Sequence, residues 1–327
     1  MNTLLPLTSF EQIKLLSDPR RLQILRLLMA QPATLSQIGR ALDKHPAWVQ
    51  HHIRTLERAG LVEVAEVRAN PGLVEKFYRA KASGFIVQQT ILPHTDQLTL
   101  LFSGSHDLAL ELLGQQLSAR IKLLVQPVGS LNGLAHLRIG LCQFSGIHLR
   151  NEEGEYNVPF VRKMFADQAV RVVTLAHRTQ GWMTAPGNPY NIQTVTDLLQ
   201  PGVRFVYRNR GSGTQLWLAN ELQRAGVSAT SPLGNEQTVF THTEAAALIA
   251  RGQADAALGL EAAAWQLGLG FVPLFQERYD LVIPEEQITT LTPVLDALHS
   301  AAFRQAGRNL AGYEFNHTGK EWAHSLQ

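Results

Sequence analysis

One pattern recurs between residues 98 and 268: a short apolar stretch typical of a β-strand, a turn, and a helix. It appears in LTLLFSGSHDLALELLGQQL and again in IKLLVQPVGSLNGLAHLRIG, VRFVYRNRGSGTQLWLANEL and ADAALGLEAAAWQLG. Strands that alternate with helices lie side by side in a mainly parallel sheet, and the helices cover its faces. The sequence therefore predicts an α/β domain over this part of the chain.

The strand-to-helix turns of this pattern are rich in glycine and small hydroxyl residues. Ligands of such sheets bind beyond the carboxyl ends of the strands, where helix N-termini present free N–H groups and favour negative charge. One such turn is a weak indication, because turns use Gly and Ser freely. Several in register, one of them flanked by arginines, predict a small anionic ligand. The candidate ligand-binding residues are Ser103, Ser105, His106, Gly129, Ser130, His148, Arg178, Arg208, Arg210, Ser212, Gly213, Thr214, His242 and Tyr279.

Some of these side chains have expected roles in the site. Arg178 and Arg208 are the expected permanent counter-charges, and the Tyr279 hydroxyl is expected to point into the cleft. The histidines either contact the anion or are structural. A protonated histidine would strengthen anion binding below about pH 6.5.

The sequence lacks the motifs of common catalytic sites. GxxxxGK[ST], which forms a phosphate-binding loop, and GxSxG, which forms a nucleophile elbow, are both absent. The histidines of this region are not spaced as zinc ligands, and the single cysteine, Cys142, is expected to be a small buried residue. No catalytic residue, metal ion or cofactor is therefore predicted.

The N-terminal third has the spacing of a helix-turn-helix. Asp18 and Pro19 begin one helix, Thr34 caps a short second helix, and Pro46 begins a third that ends at Gly60. A short helix, a tight turn and another helix form a helix-turn-helix. The next segment, LVEVAEVRANPGLVEKFYRA, predicts a β-hairpin with its turn at 69–72. Together these elements predict an α+β winged helix.

The charge distribution and one helix face indicate DNA binding. Residues 1–95 contain 12 Lys and Arg against 7 Asp and Glu, whereas the remainder contains 17 against 20. A basic N-terminal third suggests contact with a polyanion. Gln and Arg side chains pair with base edges, and arginines also bind phosphates. The candidate DNA-binding residues are Ala47, Trp48, Gln50, His51, Arg54, Arg58 and Arg68.

Residues 8–92 resemble the ArsR-like winged helices. The resemblance rests on DPRRLQILRLL, LSQIGRAL and WVQHHIRTLERAGLV, in which His52 and Leu56 match the family's recognition helix while Gln50 and Ile53 depart from it. It implies a homodimer bound to a palindromic operator of double-stranded DNA. The cysteines with which such proteins often sense metals are absent, so sensing is expected elsewhere in the chain.

Residues 98–283 resemble the type II periplasmic-binding-protein-like domain. The motifs that carry the resemblance are SGSHD, GSLNGL, GIHL, YNVPFV, HRTQGWM, GNPYNI, RGSGT, THTEAAALIARGQADAALGLEAAA and FVPLFQERYDLVI. It implies two lobes that close on a ligand. RGSGT resembles a segment of tungstate receptors but lacks its aspartate. The resemblance thus implies molybdate or tungstate as the ligand.

The sequence as a whole predicts a one-component transcriptional regulator. Residues 1–95 are the expected winged helix-turn-helix domain, and residues 96–327 the expected two-lobed sensor. No transmembrane helix or signal peptide is predicted, so a cytoplasmic location is expected. Three alternatives remain open: the same regulator sensing an organic anion or a molybdenum-cofactor precursor, a cofactor-handling enzyme, and a DNA-compacting scaffold. The sequence does not decide whether ligand promotes or relieves DNA binding.

Overall fold

A computed structural model of the protein describes residues 4–7, 9–70, 73–87, 90–93, 96–227 and 237–322. The chain folds into two compact units, one up to Ile91 and the other from Leu92 onward. Each unit has a hydrophobic core of its own. None of the helices in the described ranges is long and apolar enough to span a bilayer.

The N-terminal unit is a set of helices followed by a hairpin. Its elements are β1 (Leu4–Leu7), α1 (Phe10–Leu16), α2 (Pro19–Ala30), α3 (Leu35–Leu42), α4 (Pro46–Arg58), β2 (Val62–Asn70), β3 (Leu73–Ala80) and β4 (Gly84–Val87). Strands β2 and β3 are antiparallel, and β1 pairs with β4 in parallel. The winged helix that the sequence predicts is confirmed, although residues 71–72 of the predicted turn lie outside the described residues.

Local capping sets the helix boundaries in this unit. The Asp18 side chain accepts a hydrogen bond from the backbone N of Arg20, and Thr34 forms a capping box with Gln37. Gly60 follows α4 with a φ of 72°, a left-handed conformation that glycine adopts without steric cost. Because these signals are local in sequence, both ends of the helix-turn-helix could be predicted closely. The buried residues that pack α2, α3 and α4 together are Ile24, Leu25, Leu28, Ile38, Val49, Ile53 and Leu56.

The C-terminal unit alternates strands and helices. Its strands are β5 (Leu98–Gly104), β6 (Ile121–Pro127), β7 (Phe144–Ile147), β8 (Val170–Thr184), β9 (Phe205–Arg208), β10 (Thr238–Val239), β11 (Ala256–Leu260), β12 (Gly270–Pro284), β13 (Tyr313–Glu314) and β14 (Glu321–Trp322). Its α-helices are α5 (Leu108–Leu117), α6 (Ser130–Arg138), α7 (Val158–Met164), α8 (Gly213–Arg224), α9 (His242–Ala250), α10 (Glu261–Gln266), α11 (Ile288–His299) and α12 (Ala301–Gly307). Two short 3-10 helices occupy Val195–Leu199 and Glu285–Gln287.

The strands follow the order β10-β9-β11-β8-β12-β7-β5-β6. Strands β5, β6 and β7 are parallel, as are β9, β10 and β11. Between these groups run the long antiparallel strands β8 and β12. β7 pairs with the carboxyl-terminal part of β12, whereas β11 pairs with the last residues of β8. The unit therefore has two lobes, which we call the first lobe (β5–β7 with α5 and α6) and the second lobe (β9–β11 with α8 to α10).

Candidate ligand site between the two lobes

The turns after strands β5 and β7 and the start of helix α6 meet in the first lobe. Ser105 Oγ and Ser130 Oγ lie 2.8 Å apart, and Ser130 Oγ accepts a 3.1 Å hydrogen bond from the backbone N of His148. Ser130 is the first residue of α6, and Gly129 caps that helix with a φ of 89°. The structure thus brings together four of the candidate ligand-binding residues, and all four are buried: Ser105, Gly129, Ser130 and His148.

The second lobe touches this group through the start of α8. A Cβ atom added at Gly213 would lie 2.6 Å from the carbonyl oxygen of His148. Asn209 Nδ2 donates a 3.0 Å hydrogen bond to the carbonyl of Val128, just before α6. The two lobes are therefore in direct contact, and glycine is required at position 213 for that approach.

A buried carboxylate lies at the centre of the contact. Glu277 accepts hydrogen bonds from Arg178 Nε at 2.7 Å, Gln180 Nε2 at 2.6 Å and His148 Nδ1 at 2.8 Å. Gln180 Nε2 also donates to Thr214 Oγ1 of α8 at 3.2 Å. Burial raises the pKa of Glu277, but His148, Arg178 and the hydrogen bonds from His148 and Gln180 lower it to about 2. Glu277 is therefore ionised and connects His148 of the first lobe to α8 of the second.

Arg178 is neutralised inside the protein. Its Nη1 lies 2.6 Å from Asp107 Oδ2, and its Nη2 lies 2.7 Å from Glu277 Oε1. Its guanidinium also stacks over the ring of Tyr279, whose hydroxyl donates to the carbonyl of Ser105. Arg178 is therefore not the free counter-charge that the sequence predicted. The Tyr279 hydroxyl is likewise bound within the protein instead of pointing free into the cleft.

Arg208 has a different environment. The side chain is buried, and Nη2 donates a 2.7 Å hydrogen bond to the carbonyl of Phe240. Nε and Nη1 have no hydrogen-bond partner among the residues that the structure describes. No carboxylate of those residues forms an ion pair with the Arg208 guanidinium. Burial, followed by the positive charge of Arg178, lowers the pKa of Arg208 to about 9. Arg208 therefore stays largely protonated at neutral pH while two of its donor nitrogens lack an acceptor.

His242 is the second buried side chain with unused hydrogen-bonding capacity. It is the first residue of α9 and is completely buried, and neither ring nitrogen has a partner in the described part of the chain. Its ring centroid lies 6.0 Å from that of His106. Burial and then the charge of Arg208 place the pKa of His242 well below its ordinary value. Its imidazole is therefore neutral and offers one donor and one acceptor.

Not all candidate ligand-binding residues of the second lobe and of strand β5 belong to the buried set of side chains between the lobes. Ser212 caps α8 by accepting a hydrogen bond from the backbone N of Gln215. Ser103 Oγ lies 2.8 Å from His136 Nδ1 of α6, so its hydroxyl is used within the first lobe. Arg210 is exposed, unlike Arg208 two residues earlier. Of Arg208 and Arg210, only Arg208 therefore lies in the buried interior.

A surface groove of about 380 Å³ lies against His106, on the side of α9. His106 Nε2 lies 2.7 Å from Glu111 Oε1, and the backbone N of His242 donates to His106 Nδ1 at 3.3 Å. The other residues that line the groove are Val125, Pro127, Thr241, Thr243, Glu244 and Ala247. His106 therefore connects the two lobes at the edge of the buried group.

Three residues of the buried network are absent from the candidates that the sequence indicated: Asp107, Gln180 and Glu277. Glu277 pairs in register with Arg178 across strands β12 and β8, and Gln180 follows Arg178 on the same face of β8. The available signal was a run of polar residues inside each otherwise apolar strand, HRTQ in β8 and QERYD in β12. Asp107 also caps α5, since its side chain accepts a hydrogen bond from the backbone N of Leu110.

The predicted DNA-binding residues lie mostly on the exposed face of α4. Ala47, His51, Arg54 and Arg58 are exposed, and Gln50 is half-buried. Trp48 packs against the buried His52 with ring centroids 4.3 Å apart. Two arginines on one exposed helix face suit phosphate or base contacts. Whether these residues contact DNA stays a prediction.

Arg68, the candidate on the hairpin, is paired within the protein. Its Nε lies 2.8 Å from Glu66 Oε1, and its guanidinium stacks 4.4 Å from the ring centroid of Phe77. The neighbouring carboxylate reduces the positive charge that this hairpin presents. Among the three candidate arginines, Arg54 and Arg58 therefore carry the charges that no carboxylate of the described residues pairs with.

The chain belongs to the periplasmic-binding-protein (PBP) superfamily. Residues 111–299 match the PBP superfamily domain, and residues 18–64 match the family described as bacterial regulatory protein, arsR family. Both resemblances inferred from the sequence are therefore confirmed as to domain type. Domains of these two types are typically non-enzymatic, and their combination indicates a transcriptional regulator with a ligand-sensing domain.

Among the relatives is the uncharacterized protein YvgK of Bacillus subtilis. It is 32% identical over 224 residues, which cover 68% of this chain and 72% of YvgK. An uncharacterized protein in the ferredoxin 2Fe-2S gene 5' region of Clostridium pasteurianum is 33% identical over 106 residues, or 32% of this chain and 94% of the relative.

Solved structures with a similar course of the chain include the sulfate-binding protein SubI from Mycobacterium tuberculosis. That structure is 15% identical and has a TM-score of 0.45, and the match covers 67% of this chain and 86% of SubI. Peb3 from Campylobacter jejuni is 13% identical with a TM-score of 0.44, and the match covers 67% of this chain and 99% of Peb3.

Proposed function

We propose that the protein is a one-component transcriptional regulator whose two-lobed unit binds molybdate or tungstate. In this proposal the winged helix binds operator DNA as a homodimer. The oxyanion is held where the two lobes meet. The observation that carries the ligand site is Arg208, a buried guanidinium with two nitrogens that lack a partner in the described part of the chain.

The electrostatics of the site support an anion. A buried charge is costly unless it is paired and hydrogen-bonded. Arg178 already has two carboxylate partners, whereas Arg208 has none at ion-pair distance among the described residues. An anion between the lobes would accept from Arg208 Nε and Nη1 and from the N–H of His242. It would thereby supply the partners that the protein itself does not.

The space and the surrounding donors support a small ligand. The lobes approach closely at Gly213 and at Gly129, where an added Cβ would lie 3.0 Å from the carbonyl oxygen of Gly211. Helices α6 and α8 both begin at this contact, where the backbone N of Leu131 in α6 donates to the carbonyl of Gly211 at 3.3 Å. Helix N-termini bind tetrahedral oxyanions well. The hydroxyls of Ser105 and Ser130 are also buried there. These features fit an oxyanion of a few atoms better than a large organic molecule.

A ligand of this kind would act by stabilising the closed lobes. A ligand shifts a two-state equilibrium only through its different affinity for the two states. A preference of about 10⁴-fold, roughly 5.5 kcal/mol, moves the population from 1:99 to 99:1. Since Arg208 and His242 belong to the second lobe and Ser105 and Ser130 to the first, an anion between them would bind the closed form more tightly.

The experiment is a thermal-shift screen with molybdate, tungstate, sulfate, phosphate and small carboxylates. A ligand at one hundred times its dissociation constant stabilises a protein by about 2.7 kcal/mol. We expect a shift with molybdate or tungstate that Arg208→Ala abolishes. The matched control is Arg224→Ala, which removes an exposed arginine from helix α8 and should keep the shift. A normal shift in Arg208→Ala would refute the site, and no shift with either metal oxyanion would refute the ligand.

A second candidate ligand is an organic anion, including a molybdenum-cofactor precursor. Asn209 Oδ1 and Gln215 Oε1 are buried acceptors without a partner among the described residues. A deprotonated tetrahedral oxyanion carries no hydrogen to donate to them, whereas a hydroxylated or amino-substituted anion does. A shift with small hydroxy acids or amino acids, together with none from molybdate or tungstate, would favour this candidate.

A further inference from the structure

Both ring nitrogens of His106 have hydrogen-bond partners, and one of the two contacts connects the lobes. It follows strand β5 in the first lobe, and only 5% of its surface is exposed. Its Nε2 lies 2.7 Å from Glu111 Oε1 in the same lobe. Its Nδ1 lies 3.3 Å from the backbone N of His242, the first residue of α9 in the second lobe. The contact with His242 is thus a hydrogen bond between the lobes.

These two contacts fix the protonation of the ring. The Glu111 carboxylate only accepts hydrogen bonds, so His106 Nε2 must carry a hydrogen. The backbone N–H of His242 only donates, so His106 Nδ1 must carry a lone pair. The closed arrangement therefore requires the neutral imidazole with its hydrogen on Nε2. A ring protonated on both nitrogens presents a second N–H towards the N–H of His242, and the hydrogen bond between the lobes is lost.

The charged and titratable groups around His106 come from several elements. Glu111 of α5 contacts the ring of His106, and Arg178 of β8 donates to the His106 carbonyl at 3.2 Å. Burial lowers the pKa of His242 and of His148, and in His148 the charge of Glu277 opposes this effect. The other groups on this side are Asp107, Tyr313, Arg208 and Glu244.

We propose that His106 is a positioning residue that holds the lobes closed when it is neutral and releases them when it is protonated. Ligand affinity then falls as the pH is lowered. The inference rests on the proposed function in that the closed lobes are the ligand-bound form. Closure of the free protein, however, can be measured without knowing the ligand. The opposite outcome, tighter anion binding at low pH, is what a simple gain of positive charge at the site would give.

The test measures the distance between the lobes in the full-length protein without ligand. Spin labels are attached to cysteines introduced by Lys122→Cys on β6 and Arg251→Cys at the end of α9, both exposed positions in different lobes. Cys142 is buried and is not expected to react. Distances are recorded at about pH 5.5 and about pH 8, the range in which histidine ordinarily changes charge. We expect a single short distance between the labels at the higher pH, and an additional population with a longer distance at the lower pH.

The variants separate the proposed role from a structural one. His106→Asn supplies an amide oxygen that accepts from His242 and an amide N–H that does not titrate, so it should stay closed at both pH values. His106→Ala should be open at both. His299→Asn, an exposed histidine on α11, should keep the wild-type response. A wild-type distance that does not change with pH, or a pH response that persists in His106→Asn, would overturn the proposal. A failed ligand screen would instead concern the proposed function alone.

Discussion

Gly213 and His148 approach so closely that a Cβ at position 213 would lie 2.6 Å from the His148 carbonyl oxygen. The backbone oxygen cannot move as the end of a flexible side chain can. Close contact between the lobes therefore depends on the absence of a side chain at the start of α8.

Gly213→Ala should oppose lobe closure. Overpacking of this kind costs about 1–3 kcal/mol, so the variant should lose stability or rest in an open form. The label pair at positions 122 and 251 should report a longer distance, and urea unfolding should show the loss. Gly114→Ala on helix α5 is the control, since its added Cβ would meet only the Leu123 side chain, at 3.3 Å. Equal distances in the two variants would contradict the prediction.

Arg208→Met should stabilise the free protein while abolishing its response to ligand. Methionine fills similar space without a charge that has to be buried unpaired. We expect the free energy of unfolding without ligand to rise by about 1 kcal/mol, measured by chemical denaturation. The thermal shift with molybdate or tungstate should vanish at the same time. A variant less stable than the wild type would mean that the protein itself supplies the partner of Arg208.

Glu277→Gln should destabilise the protein and flatten its acid sensitivity. The folded pKa of Glu277 is about 2, below its ordinary value of 4.5, so its contribution to stability is complete above about pH 4.5 and is lost as the pH falls towards 2. That shift corresponds to on the order of 3 kcal/mol. Unfolding between about pH 5 and pH 2 should therefore be less steep in the variant. Glu285→Gln, an exposed partner of Arg171, is the control and should behave like the wild type.

Arg54→Ala should weaken DNA binding without changing the ligand response. Arg54 is exposed on α4, and loss of a phosphate or base contact costs about 1–3 kcal/mol. Fluorescence anisotropy with a duplex selected by the wild type from a random pool measures the affinity. The salt dependence should also decrease if the lost contact is to phosphate. Arg26→Ala, exposed on α2, should leave the affinity nearly unchanged, and an equal loss there would mean that α4 is not the recognition helix.

The sequence by itself determined the elements and their order. Asp18 and Pro19 mark the start of α2, and Thr34 marks the start of α3. The side chains of Asp18 and Thr34 accept hydrogen bonds from backbone N–H groups two and three positions further on. The strand–turn–helix units could be predicted from the sequence equally well, because apolar periodicity and Gly/Ser turns are local signals. The same local signals identified the strand-to-helix turns, and several of these turns meet between the two lobes.

Only the tertiary structure decided which of two similar arginines is free. Arg178 and Arg208 look alike in the sequence, since each follows an apolar stretch and has polar residues beside it. The fold brings Asp107 and Glu277 to Arg178 from 71 and 99 positions away and brings no carboxylate of the described residues into ion-pair contact with Arg208. The energy of a buried charge depends on the groups within a few ångströms in space. Pairing across such separations in the chain therefore emerges only when the strands assemble.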